Sequence, residues 1–194
     1  MPQNVAHPAL RRQTLSDLLH RTAKRLPHKP GILCGATAWT WSQFDAVVSR
    51  LAAGLHAQGV AQGEHVGVLS RNSHGFAALR FALARLGAVM VPVNFMLNAD
   101  EAAYILRHAG VKLLAVDSGL HALGRDAAAK DTAITRFLWL PSEDPTTCPD
   151  GCLDFNALIA TDLAAHPCPE PTFNSHHLLQ IVYTSGTESL PKGA

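Results

Sequence analysis

Apolar positions recur along this chain with two alternating periods, and the alternation is its most informative feature. Leu15, Leu18, Leu19, Ala23 and Leu26 are spaced as one face of a helix, which Pro27 stops. Two short β-prone pieces, Ile32 to Cys34 and Ala38 to Thr40, flank Gly35-Ala36-Thr37 and predict a small hairpin. A long helix follows, with Ser42 as its expected cap, Phe44, Val47, Val48, Leu51 and Leu55 on its apolar stripe, and Gly59 at its end.

From there strands and helices alternate. His65 to Leu69 (HVGVL), Ala88 to Val93 (AVMVPV), Lys112 to Val116 and Phe137 to Leu140 are short apolar runs that predict strands. Helical spacing separates them: from Ser73 to Gly87, from Ala99 to His108 with Gly110 closing, and more weakly from Leu120 to Lys130. Strands that are apolar on both faces, alternating with helices, predict an α/β fold with a mostly parallel sheet covered by helices on both faces. The rhythm lapses in PSEDPTTCPDGC and HPCPEPTFNSHH, both rich in turn residues, with one short helix expected between them over Leu153 to Leu163. Leu178 to Tyr183 (LLQIVY) then returns as an expected buried strand. This divides the chain into a tail (1–13), an α/β subdomain (14–140), a proline-rich connection (141–177) and a strand with its loop (178–194).

Composition narrows the function. Hydrophobic residues make up 47% of the 194, charged residues 16%, and the net charge is +1. Nothing here supplies the basic face that nucleic acid or an anionic membrane requires. The apolar run from Ala82 to Val93 is broken by Arg85 and Pro92, so it is no membrane span. The N-terminus lacks the apolar core of a secretory signal, and a cytoplasmic location is the default expectation. Cys148 and Cys152 flank Pro-Asp-Gly but have no second pair at zinc-ligand spacing, so all four cysteines are read as reduced thiols.

The candidate chemistry lies in the last ten residues before Ala194. Thr184, Ser185, Gly186, Thr187, Glu188, Ser189, Leu190, Pro191, Lys192 and Gly193 follow an apolar run and have the parts of an anion cradle. Gly186 can adopt positive φ, letting backbone N–H groups converge on one oxygen. Thr184, Ser185, Thr187 and Ser189 carry hydroxyls, and Lys192 a mobile positive charge suited to phosphate. Pro191 stiffens the segment. The P-loop pattern does not fit: counted from Gly186, its second glycine falls on Pro191 and its metal-binding hydroxyl on Gly193. A solvated Ser/Thr/Gly turn is the plain alternative.

YTSGTESLPKG resembles the signature loop of the adenylate-forming (AMP-binding) superfamily, Tyr/Phe-Thr-Ser-Gly-Thr-Thr-Gly-x-Pro-Lys-Gly. AWTWSQFDAVVSRLAAGLHAQGVAQGEHVGVLSRNS and LARLGAVMVPVNFMLNADEAAYILRHAGVKLLAVD resemble the family's earlier segments, and VPVNFMLNADEAAYIL is close to the form in acyl-CoA synthetases. The chain departs from the loop pattern at Glu188 and Ser189, and a carboxylate beside polyphosphate needs Mg²⁺ or Lys192 to offset it.

The resemblance implies the N-terminal portion of the adenylate-forming fold, incomplete at 194 residues. It implies ATP with Mg²⁺, a carboxylic acid (a fatty acid for preference) and coenzyme A as reactants, with residues 184 to 193 around the β- and γ-phosphates. No catalytic residue and no metal ligand of the family is matched here, and Asp117, Lys130 and Asp131 are read as solvated surface charges. The alternative expectation is a non-catalytic remnant, or one subunit completed by a second polypeptide.

Overall fold

The computed structural model describes residues 14–141, 147–169, 176–184 and 191–194. The tail at 1–13, parts of the proline-rich connection (142–146, 170–175) and loop residues 185–190 lie outside the described residues.

Helix α1 (Leu15–Arg25) starts at a capping box: Thr14 Oγ1 accepts from Asp17 N, and Asp17 Oδ2 accepts from Thr14 N. Leu19 and Ala23 are buried on its inner face, whereas Leu18 is 52% exposed. Strands β1 (Pro30–Cys34) and β2 (Thr37–Thr40) form the expected antiparallel hairpin. Helix α2 (Trp41–Ala57) is capped by Thr40 with Gln43 as its box partner, not by Ser42. Ser42 lies inside the first turn, because the Thr-x-x-Gln pair satisfies two backbone donors where a lone serine satisfies one.

Five parallel strands follow. They are β3 (His65–Leu69), β4 (Val89–Pro92), β5 (Leu113–Asp117), β6 (Arg136–Leu140) and β7 (Cys152–Asp154), in spatial order β4-β3-β5-β6-β7. Helices α3 (His74–Leu86), α4 (Ala99–His108) and α5 (His121–Ala128) make the crossovers, and α6 (Phe155–Leu158) is a single turn after β7. The weak helix expected over Leu120 to Lys130 is a 3₁₀ turn (Ser118–Leu120) running into α5.

The pleat divides the core in two. Leu113, Ala115, Leu138 and Leu140 face one cluster with Phe44, Leu51, Leu79 and Leu83 from α2 and α3. Leu114, Val116, Phe137 and Trp139 face the other, with Leu106 from α4 and Ala127 from α5. Each leucine among these contributes about 2 kcal/mol by burial, so the sheet is held chiefly by apolar packing on both faces. Gly67 in β3 permits the close approach of α4: a Cβ there would lie 2.8 Å from Leu106 Cδ2 and 2.9 Å from Leu114 Cδ1.

Two further expectations need correction. The helix expected over Leu153 to Leu163 is a three-residue strand, β7, followed by one helical turn. Backbone pairing to Phe137, Leu138 and Trp139 captures Cys152–Asp154 as strand and leaves only Phe155–Leu158 helical. Leu178 to Tyr183 is not a buried strand. It makes one parallel bridge, Gln180 to Met90, and Leu178 and Val182 are 52% and 44% exposed. Its apolar run borders β4 through one bridge, and at its far end Val182 and Tyr183 pair with Ala194 and Gly193.

Candidate functional site

The segment carrying the candidate loop is tied to the sheet through one residue of β4. Met90 N donates to Leu179 O at 3.1 Å, and Ile181 N donates to Met90 O at 2.9 Å. The chain therefore runs in the same direction as β4 when it reaches Thr184. In open parallel sheets, ligands gather beyond the carboxyl ends of the strands.

There the chain forms a narrow antiparallel neck. Val182 and Ala194 exchange backbone hydrogen bonds at 2.8 and 2.9 Å, Tyr183 bridges Gly193, and Thr184 N donates to Lys192 O at 3.1 Å. Of the ten sequence-predicted residues, Thr184, Pro191, Lys192 and Gly193 are described, and the neck brings Thr184 and Lys192 side by side. Ser185, Gly186, Thr187, Glu188, Ser189 and Leu190 lie outside the described residues. Thr184 and Lys192 are exposed, and Lys192 has no ion pair among the described residues. An exposed ammonium suits a phosphate.

Packing behind the neck fixes its position. Tyr183 Oη is hydrogen-bonded to His108 Nδ1 at 2.7 Å, and the two rings meet edge to face at 5.7 Å. Tyr104 also stacks on His108, at 5.8 Å. Burial, with Tyr104 adding to it, pushes the Tyr183 hydroxyl above its ordinary pKa, so it stays neutral at physiological pH. The sequence did not single out His108 or Tyr104; their i, i+4 spacing on α4 was the available signal.

Asp117 is a correction. It is 2% exposed rather than a solvated surface charge. At the end of β5 its Oδ2 accepts from Arg71 N at 2.7 Å, and Oδ1 lies 3.8 Å from Arg71 Nη1. The carboxylate is buried because it caps the turn leaving β3; an aspartate directly after four apolar strand residues was the clue. Lys130 and Asp131 are exposed as expected, and Lys130 pairs with Asp100 at 2.8 Å.

Among the described residues no group of three or more His, Cys, Asp or Glu side chains could hold a metal ion. None of the described helices is long and apolar enough to cross a membrane. A groove of about 320 Å³ between the β1–β2 hairpin and the start of α3, lined by residues that include Cys34, Ser73 and His74, takes no residue from the neck.

Comparison with known proteins extends these observations. The family of AMP-binding enzymes matches residues 19–194. A fatty acid–[acyl-carrier-protein] ligase of Streptomyces coeruleorubidus is 31% identical over 187 residues, covering 96% of this chain and 33% of that protein. The peroxisomal benzoate–CoA ligase of Arabidopsis thaliana is 30% identical over 192 residues, covering 93% and 33%. The chain thus spans about a third of the length of these curated relatives. Among solved structures, a fatty acyl CoA synthetase of Mycobacterium tuberculosis superposes with a TM-score of 0.75 at 26% identity, covering 93% of this chain and 34% of that one.

Proposed function

This chain belongs to the family of AMP-binding enzymes, and we propose that it is the N-terminal part of an adenylate-forming ligase whose ATP phosphates rest on residues 184 to 193. In the proposed reaction a carboxylate oxygen attacks the α-phosphorus of ATP, giving an acyl-adenylate and releasing pyrophosphate. A thiol, coenzyme A in this reading, then attacks the acyl carbon and AMP leaves. The acid is proposed to be a fatty acid, as in the names of two of the similar proteins.

The observation that carries the reading is the neck itself. Backbone pairing across Val182 to Thr184 and Lys192 to Ala194 holds an exposed lysine, with no ion pair among the described residues, beside an exposed threonine, at the end of a segment parallel to β4. In this reaction the protein works mainly by positioning and by stabilising charge. Thr184, Ser185 and Thr187 would supply hydroxyls, Gly186 backbone contact, and Lys192 positive charge to the β- and γ-phosphates. Pro191 and Gly193 would shape the loop's return, and Glu188, Ser189 and Leu190 would complete its span. Mg²⁺ enters with the nucleotide in this reading, and no described residue is assigned to it.

The chain's share of the work is holding phosphate; the acid pocket and the acceptor site are assigned to the rest of the ligase, and the 194 residues by themselves are proposed to be inactive. Acid-dependent exchange of labelled pyrophosphate into ATP by the whole protein tests the activity. Exchange that rises with a fatty acid and is absent without acid supports the reading. ATP hydrolysis without exchange, for any carboxylic acid tried, overturns it.

A further inference from the structure

A second group of reactive side chains lies at the opposite edge of the sheet, on and beside β7. Cys152 opens that strand opposite Phe137, and its Sγ lies 3.9 Å from His121 Nε2 and 4.0 Å from Arg125 Nη2. Arg125 Nε also donates to His121 Nε2, at 3.3 Å, which fixes that nitrogen as the unprotonated acceptor of the ring. Burial, and then the charge of Arg125, lower the affinity of His121 for a second proton. His121 Nε2 thus faces both Arg125 Nε and the Cys152 thiol, and the guanidinium faces the same sulfur; a base and a cation beside a thiol are the ingredients that generate and stabilise a thiolate.

A second thiol stands next to it. Cys148 Sγ lies 3.7 Å from Cys152 O, and Pro149-Asp150-Gly151 folds the chain back so that Cys152 N donates to Pro149 O at 3.2 Å. Gly151 takes φ +78, which closes this turn. Both cysteines are half-buried and pack against the apolar cluster that contains Phe137 and Trp139. Cys148 sits among Asp154, Cys152 and Asp150, and burial first, then those groups, keeps its thiol protonated. The two thiols thus differ in their surroundings: Cys152 faces an imidazole and a guanidinium, Cys148 two backbone carbonyls.

The rings fix the arrangement. His121 meets Trp139 edge to face at 5.3 Å, and Arg125 lies over Phe137 at 4.2 Å. Both cationic or basic groups are therefore held by strand β6 rather than by Cys152 itself. Among the described residues, neither His121 nor Arg125 has a hydrogen bond, ion pair or ring contact with 182–184 or 191–194.

We propose that Cys152 is a peroxide-sensitive thiol that, once oxidised, closes a disulfide with Cys148. Arg125 Nε lets go of His121 Nε2, which takes the Cys152 proton, and the thiolate held by the Arg125 guanidinium attacks one oxygen of a hydroperoxide. The S–O bond forms as the O–O bond breaks; the sulfur is oxidised by two electrons, and the leaving hydroxide takes the proton back from His121 as water. Cys148 sulfur then attacks the sulfenic acid of Cys152; its proton leaves with the hydroxyl group as a second water, and the S–S bond remains. Disulfides of this kind are transient and redox-sensing where the surroundings are reducing.

Hydrogen peroxide titration of the full-length protein, followed by thiol alkylation and peptide mapping, tests this. Cys152 is expected to be consumed about tenfold faster than Cys34 and Cys168, with Cys148 lost in step as the product disulfide. In Cys148→Ser, Cys152 should instead accumulate as a sulfenic acid that a dimedone probe captures. Arg125→Met should slow Cys152 oxidation several-fold, and Arg125→Lys should restore much of it; a purely structural role for Arg125 would not show that recovery. Equal reactivity of the four cysteines overturns the proposal, and so does a disulfide from Cys152 to Cys168. The wild-type rates decide the matter even if a variant fails to fold.

Discussion

Tyr183 lies over Gly193 so closely that a side chain at 193 has no room: a Cβ there would be 3.0 Å from Tyr183 Cζ and 2.9 Å from Ile181 Cγ2. The glycine of the loop's return is thus explained by packing within the neck. Gly193→Ala should push the Tyr183 ring off His108 and cost roughly 1–3 kcal/mol, as overpacking does. A lowered urea midpoint together with weaker ATP binding is the expected pair of results. Unchanged values for both would show that the neck has slack.

Asp45 and Arg85 join α2 to α3. Asp45 Oδ1 lies 2.6 Å from Arg85 Nη2, and Arg85 also donates from Nε to Ser16 Oγ at 3.0 Å, which draws in α1. The side chains are only 17% and 10% exposed. Removing one partner strands the other's charge in a low-dielectric site, so Asp45→Ala should destabilise by about 3 kcal/mol. Asp45→Ala combined with Arg85→Met should recover part of that loss, because no charge then remains unpaired. Chemical denaturation of the three variants checks the ordering.

His74 sits between Trp39 and Phe155, with ring centroids 5.3 and 6.2 Å away, and its buried Nδ1 has no hydrogen-bond partner among the described residues. Burial lowers its pKa from the ordinary 6.5. The sign follows from linkage: as pH falls below about 6.5 the unfolded chain takes up a proton that the folded chain refuses, so stability declines until the folded pKa is reached. His121, lowered by burial and then by Arg125, adds a slope of the same sign. His74→Gln should flatten the decline of stability between neutral pH and about pH 5. A slope equal to that of the wild type would mean that His74 does not contribute.

Asp117 holds the turn after β3 through Arg71 N. Asp117→Ala removes the acceptor of a part-buried N–H and should cost about 1 kcal/mol, while Asp117→Asn keeps an oxygen at that place and should cost less. Thermal or urea midpoints for the pair give the comparison.

The elements legible in the sequence were those where period and boundary signals agreed. His65–Leu69 and Ala99–His108 match their expected bounds because each has a clear apolar period and clean turn residues at its ends. Leu178 to Tyr183 misled because an apolar run does not reveal how many neighbours a strand will have. β7 was hidden because three residues are too few to show a period, and β6 supplies the pairing that makes them a strand. Asp117 was misjudged because charge type alone was weighed, without its place at the end of a strand. At the candidate site, residue types pointed to phosphate, but the support from His108 and Tyr104 depends on α4 lying beside the neck, which no local pattern states.

The central claim is that residues 184 to 193 hold the phosphates of ATP, and the half-reactions of Lys192→Ala in the whole ligase test it most directly. Loss of one charge aimed at a developing charge typically costs about 10²-fold or more in rate. The account predicts that acid-dependent ATP–pyrophosphate exchange falls by about that factor, while thioester formation from supplied acyl-adenylate changes by less than about twofold. Equal slowing of both half-reactions, or exchange at the wild-type rate, would contradict it.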